Sequence, residues 1–306
     1  MRVGRVSAVA SPGSLTVSTI NVNGIRAAVK QRSTENLGLL PWLKETTADV
    51  VCLQEVRADD DQLADALAPA LADGWYLASA APHVKGRNGV AVLSRHAIDA
   101  SRLLVSDEFG AHGRYLEADT AGVTVVSMYV PTGEAETDRQ LEKERFMATV
   151  AARMAELRRE RAGVAADARS TNVAADARSA GVAGDVRSTG VVVCGDWNIA
   201  HTENDIKNWK GNIKKSGFLP SERQWLTDLL ATGWVDVVRV LHPDVAGPYS
   251  WWSWRGKAFD NDAGWRIDYH LATPELAARA VSAHVDRAEA YALRWSDHSP
   301  VTVCYG

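Results

Sequence analysis

Val191-Val192-Val193-Cys194-Gly195-Asp196-Trp197-Asn198 runs four β-forming residues into a glycine and then sets a carboxylate and a carboxamide with one residue between them. The first half reads as a short buried strand and the second as its mouth. Asp and Asn are poor core residues, since burying either without partners costs several kcal/mol. As a pair they offer a general base or metal ligand beside a neutral hydrogen-bonding group. Turn formation explains the same two residues, so the octapeptide alone leaves both readings open.

Other strands end the same way. Leu15–Ile20 alternates and runs into Asn21; Asp49–Leu53 runs into Gln54-Glu55; Val123–Met128 runs into Tyr129. Near the C-terminus, Arg266-Ile267-Asp268 and Ser296-Asp297-His298-Ser299 flank the closing strands, Ile267–Leu271 and Pro300–Cys304. Binding and catalytic groups gather on loops at one rim of a sheet, so these ends are expected to converge. Helical patterns lie between the strands: Trp42–Thr46 with Pro41 in first position, Asp60–Ala72 with Leu at 63, 67 and 71, and Thr137–Arg161 with Phe146, Met147, Val150, Met154 and Leu157 on one face. Ser221–Gln224 reads as a capping box opening a helix to Leu230, and Pro274–Ala280 as a last helix.

The chain has 306 residues, 46% hydrophobic and 24% charged, which suits a globular protein with a large core. A net charge of −4 excludes a global basic field but leaves room for a local basic groove. Cys52, Cys194 and Cys304 cannot all pair, so free thiols in a reducing, cytoplasmic compartment are expected. No secretory h-region is visible near the N-terminus, and no apolar run reaches the roughly 18 residues of a membrane span. Residues 1–13 read as a flexible leader and 14–306 as one catalytic domain. Within it, nine-residue repeats begin at Gly163, Asn172 and Gly181. They lack large apolar side chains to offset ordering entropy, so 163–189 is expected to be a surface loop insertion.

The rim inventory is coherent. Glu55, Asp196, Asp268 and Asp297 supply hard oxygen donors, joined by His298 and two asparagines. That is a Mg²⁺ or Mn²⁺ set rather than a zinc set. Four carboxylates at one rim repel one another unless a divalent ion or an imidazolium offsets them. Such a site suits phosphodiester hydrolysis. No Walker loop and no nucleophile elbow is present, which disfavours nucleotide-driven and acyl-enzyme chemistry.

In order along the chain, Asn21-Val-Asn-Gly-Ile-Arg-Ala, Leu53-Gln-Glu-Val, Tyr129-Val-Pro, Gly195-Asp-Trp-Asn, Gly217-Phe-Leu-Pro-Ser-Glu-Arg, Trp265-Arg-Ile-Asp-Tyr and Ser296-Asp-His-Ser-Pro resemble the exonuclease III family of AP endonucleases, within the endonuclease/exonuclease/phosphatase superfamily. The resemblance covers Leu15 to Cys304 apart from the repeats. It implies a four-layered α/β sandwich of two packed, mostly antiparallel sheets flanked by helices. It also implies Mg²⁺-dependent hydrolysis 5′ to abasic sites in duplex DNA, with 3′→5′ exonuclease and 3′-end-cleaning activity, by a monomer with no membrane association.

By position, the resemblance makes Glu55 the main metal ligand with Asn23 and Asp297 nearby. Asp196 would orient or deprotonate water, and Asn198 would hold the water or the phosphate. His298, paired with Asp268, would bind the scissile phosphate, with Tyr129 and Asn21 completing its contacts. Whether Asp196 or the His298–Asp268 pair is the base stays open. Trp251, Trp265 and Ile267 would line a pocket for the flipped abasic sugar, which extrudes cheaply because it carries no base. Basic residues flanking the rim, Arg87, Arg114, Lys207, Lys210, Lys214, Lys215, Arg255 and Lys257, are expected on the DNA backbone or, alternatively, on a solvated face. Three other readings stay open: a predominantly 3′→5′ exodeoxyribonuclease, a lipid or small-molecule phosphodiesterase, and an inactive DNA-binding module.

Overall fold

A computed structural model describes residues 14–172 and 190–306. The expected leader, 1–13, and the repeats from 173 to 189 lie outside the described residues. In chain order the first half is β1 (Leu15–Asn21), α1 (Ile25–Ala28), α2 (Leu39–Glu45), β2 (Val50–Gln54), α3 (Asp60–Ala72), β3 (Tyr76–Ala80), β4 (Val90–Ser94), β5 (Ile98–Leu103), β6 (Tyr115–Thr120) and β7 (Val123–Tyr129). The second half is α4 (Asp138–Asn172), β8 (Val191–Asp196), α5 (Pro220–Ala231), β9 (Val235–Asp236), α6 (Val237–Leu241), β10 (Asp268–Ala272), α7 (Pro274–Ala277), β11 (Ala280–Val285) and β12 (Val301–Tyr305).

Two six-stranded sheets result, ordered β11-β12-β1-β2-β4-β3 and β5-β6-β7-β8-β10-β9. The pairings β1–β2 and β7–β8 are parallel, and the others are antiparallel. Strand alternation builds the four layers. Val17, Cys52, Val92, Val125, Cys194 and Val303 fill the space between the sheets. Ile20, Val51, Leu53 and Leu93 point the other way, onto α1, α2 and α3. On the second sheet Val126, Val191, Val193 and Leu271 pack against Phe146, Val150 and Met154 of α4 and Leu226 of α5. Burying side chains of this size contributes roughly 1.5–3 kcal/mol each.

The α/β sandwich of the sequence reading is therefore the observed architecture, with several local corrections. The helix expected to close at Arg161 continues to Asn172, so the first nonapeptide extends α4 instead of opening a loop. That nonapeptide holds three alanines and an arginine, good helix formers, and no proline to stop the helix. α5 opens at Pro220, so Ser221 is not its cap; Glu222 reaches back to the Leu219 N–H at 3.1 Å. Pro41 is the third residue of α2, still in the turn that leaves N–H groups unpaired. α7 stops at Ala277, and an unexpected strand, β11, follows it.

Candidate active site

Alternation along the strands carries the site residues to one place. Leu15, Val17, Val123, Val125, Val192, Cys194 and Ala272 all face the inter-sheet core. Two-residue periodicity then aims Asn21, Tyr129, Asp196 and Asp268 toward the same space at the strand ends. The register brings them to one rim: Asn21 opposite Gln54, Tyr129 opposite Asp196, and Asp268 opposite Asp196. Gly195 lets β8 come this close, since a Cβ there would sit 1.8 Å from the Met128 carbonyl oxygen. Glu55 and Asn198 follow their strands with φ of 50°, left-handed turns that bring both side chains to the cavity, and Asn23, with φ of 49°, reaches Asp297.

Asn21 donates one amide hydrogen to Glu55 Oε1 and the other to Asp196 Oδ2, both at 2.9 Å. Its amide is thus engaged between carboxylates, unlike the phosphate contact expected of it. Asn198 donates through Nδ2 to the Val130 carbonyl at 3.0 Å, and its backbone N–H donates to Asp196 Oδ1 at 2.9 Å. His298 Nδ1 lies 2.8 Å from Asp268 Oδ2, and its Nε2 lies 3.7 Å from Asp196 Oδ2. Asp297 accepts from Asn23 Nδ2 at 2.8 Å and from the Trp251 indole at 3.1 Å. Glu55 pairs with Arg57. These side chains enclose a cavity of about 270 Å³ lined by Glu55, Asp196, Asn198, Asp297 and His298 on one side and Trp251, Trp265 and Ile267 on the other.

Electrostatics distinguish the groups. Burial opposes charge on His298, but Asp268 and Asp196 outweigh it and push the imidazole up to about 10. Burial pushes the Asp196 carboxyl up to about 7, against the opposing pull of His298; Asp268 and Glu55 add to the rise. Burial also raises the Tyr129 phenol, as do Glu55 and Asp196, so it stays a neutral donor. Asp196, Asp268 and His298 form the one group of three or more His, Cys, Asp or Glu residues among the described residues whose potential ligand atoms lie within 4.8 Å of each other. Oxygen and imidazole donors this close could hold a metal ion. The Glu55, Asn23 and Asp297 set lies outside that close group.

Trp251 and Trp265 meet edge to face, with centroids 6.0 Å apart, and Ile267 packs with them. Behind this wall Arg266 donates to Asp205 at 2.6 Å and to both oxygens of Asp236, while Arg239 also pairs with Asp205. The two arginines overcome the effect of burial and hold the Asp205 carboxyl well below the usual range. Asp205, Asp236 and Lys143 support the site and carry no motif legible in sequence; Glu222 lies in the Gly217–Arg223 motif, but its pairing with Lys143 shows only in the structure.

Of the expected backbone contacts, Arg87, Lys207, Lys210, Lys214, Lys215, Arg255 and Lys257 are exposed. Lys207 borders a larger recess, about 600 Å³, that shares Trp251 and Trp265 with the catalytic cavity. Arg114 departs from the expectation: it lies over the Tyr129 ring at 4.7 Å and donates to the Tyr129 carbonyl at 3.3 Å.

The donor set fits a hard divalent cation. Glu55, Asp196 and Asp297 line the cavity with His298, and Asp268, which holds the imidazole, has Oδ1 buried without a hydrogen-bond partner. Oxygen donors dominate, and the one histidine is occupied by carboxylates.

An α/β sandwich with an acidic, histidine-bearing rim defines a class of hydrolase, and comparison with known proteins assigns the chain within it. The chain belongs to the Endonuclease/Exonuclease/phosphatase family, which matches residues 18–298. It is 30% identical to an exodeoxyribonuclease of Bacillus subtilis (strain 168) over 92% of this chain and 95% of that one. It is also 30% identical to the DNA repair nuclease APEX1 of Danio rerio, over 95% of this chain and 82% of the relative. Among solved structures, an AP endonuclease from Archaeoglobus fulgidus superposes with a TM-score of 0.77 at 26% identity, covering 95% of this chain and 99% of that one.

Proposed function

We propose that this DNA-repair nuclease uses Mg²⁺ or Mn²⁺ to hydrolyse the phosphodiester 5′ to abasic sites in duplex DNA, and that it also trims and cleans 3′ ends. The observation that carries the reading is one cavity in which the Asp268–His298–Asp196 chain faces the Trp251–Trp265–Ile267 wall. The wall suits a small baseless sugar, and the opposite side suits its phosphate. The His298 imidazolium, held by Asp268, binds the scissile phosphate and offsets the charge that grows on it. Asp196 accepts the proton of the attacking water, while Asn198 orients that water and Tyr129 donates to the phosphate. The water oxygen bonds to phosphorus, the bond to the leaving sugar oxygen breaks, and that oxygen takes up a proton. Asn21 holds Glu55 and Asp196 in place. When bound, a divalent ion at Glu55, with Asp297 and Asn23 beside it, supplies Lewis-acid neutralisation of phosphate charge.

The exposed lysines and arginines around the recess would hold the duplex through its phosphates without reading sequence. No helix among the described residues is long and apolar enough to cross a membrane. A monomer in a reducing, cytoplasmic setting is the accompanying expectation; its three cysteines are free, two of them buried.

The test is a duplex with one tetrahydrofuran site, end-labelled on the damaged strand. Incision at that site is expected, alongside slower shortening from 3′ ends. A ladder of 3′ shortening with no product at the lesion would make the protein an exonuclease alone. An intact substrate with either metal would refute the nuclease reading.

A further inference from the structure

We propose that the buried Lys143–Glu222 ion pair is a positioning element that couples the water-holding half of the site to the wall of the abasic pocket; this rests on the function proposed above. Lys143 lies on the apolar face of α4, three and four residues before Phe146 and Met147 of the core. Helical periodicity calls for another apolar side chain there. Instead a lysine and a glutamate, both 0% exposed, meet at 2.6 Å. Such pairs are rarely retained for stability, because apolar residues of similar volume serve as well or better.

The partners of the pair indicate its role. Lys143 Nζ donates to the Asn198 carbonyl at 2.8 Å, which anchors the turn bearing the Asn198 carboxamide. Glu222 accepts from the Gly217 N–H at 2.6 Å and the Leu219 N–H at 3.1 Å, and from the Ser216 hydroxyl at 3.0 Å. Gly217 has φ of +92°, and a Cβ there would lie 3.0 Å from the Trp265 ring and 3.1 Å from the Asn198 carbonyl oxygen. The turn that Glu222 clamps therefore backs Trp265, and the turn that Lys143 clamps carries Asn198. One ion pair sets the spacing between them.

Lys143→Met alone would leave Glu222 buried and unpaired, so the informative protein is Lys143→Met/Glu222→Gln, which removes both charges and keeps an acceptor for Gly217. Its fold is checked by circular dichroism and thermal unfolding, with Glu222→Gln alone as the milder second variant. Steady-state kinetics are measured on the tetrahydrofuran duplex and on an intact duplex with a free 3′ end. Misplacement of catalytic groups by about an ångström costs up to about a hundredfold. The expected result is a fall in kcat of about ten- to a hundredfold on the abasic substrate with KM within about threefold, and a smaller fall on the intact 3′ end. Discrimination between the two substrates thus narrows. Equal falls on both, tracking a loss of folded protein, would show a merely structural pair and overturn the proposal, as would unchanged rates. If the wild type leaves the abasic duplex intact, the proposed function fails by itself. The pair is then judged on the 3′ reaction, where an unchanged kcat overturns it.

Discussion

Two clusters of charge lie on either side of Ile267. Behind the pocket wall, Arg266 and Arg239 face Asp205 and Asp236, two cations against two anions, with hydrogen bonds at 2.6–3.1 Å from Arg266. At the rim, Glu55, Asp196 and Asp297 line a cavity with His298, which Asp268 holds through Nδ1; Arg57 pairs with Glu55, and the charge of Lys143, which also lines the cavity, is taken up by Glu222. The first cluster is complete in itself and is used to hold Trp265, Ile267 and Asp268. The second is left negative, which destabilises a buried site unless a cation enters. A divalent ion would balance it and draw in a phosphate. Charge balance thus separates the scaffold from the chemistry, although both clusters use the same residue types.

That difference can be broken at several points. Asp205→Asn removes one partner from the balanced cluster and should cost about 3–5 kcal/mol in urea unfolding; a loss under about 1 kcal/mol would mean that the network bears little on stability. Glu55→Gln should lower kcat at least a hundredfold, or about 3 kcal/mol of barrier, with DNA binding by anisotropy retained. His270 sharpens the contrast from within one strand. Burial lowers its pKa to about 4, two residues along from the Asp268 that raises His298. The unfolded chain binds this proton near pH 6.5 and the folded chain only near 4, so stability should fall as pH drops through that window, by up to about 3 kcal/mol. His270→Gln should flatten this part of the pH–stability curve, and an unaltered slope would exclude the histidine as its source. The smallest effect is expected from Asp196→Asn. It relieves the unbalanced cluster and should raise stability in EDTA near pH 8 by about 1 kcal/mol while activity is lost; destabilisation there would argue against excess negative charge at the rim.

Much of this arrangement was legible because the rim residues lie at or within a few positions of strand ends, where alternation and register fix their direction. Asn21, Tyr129, Asp196 and Asp268 follow from two-residue periodicity alone once the strands are placed. Edge strands escaped detection because Tyr76–Ala80, Ile98–Leu103 and Ala280–Val285 are rich in small or polar residues and partly exposed. The supporting pairs were hidden for a different reason. Lys143 and Glu222 are 79 residues apart, and Arg266 and Asp205 are 61 apart. Nothing local marks a lysine on an amphipathic helix as buried. α4 also runs past the expected Arg161, because the first repeat lacks an apolar face but holds three alanines and no proline to stop a helix.

The central claim is that the negative rim is completed by a divalent ion to cut DNA. Its most direct test is single-turnover incision of the end-labelled tetrahydrofuran duplex in Mg²⁺, in Mn²⁺ and in EDTA, wild type beside Glu55→Gln. Rapid incision by the wild type is expected with either metal and none in EDTA, with a loss of at least about a hundredfold for the variant. Equal cleavage in EDTA, or by Glu55→Gln, would contradict it.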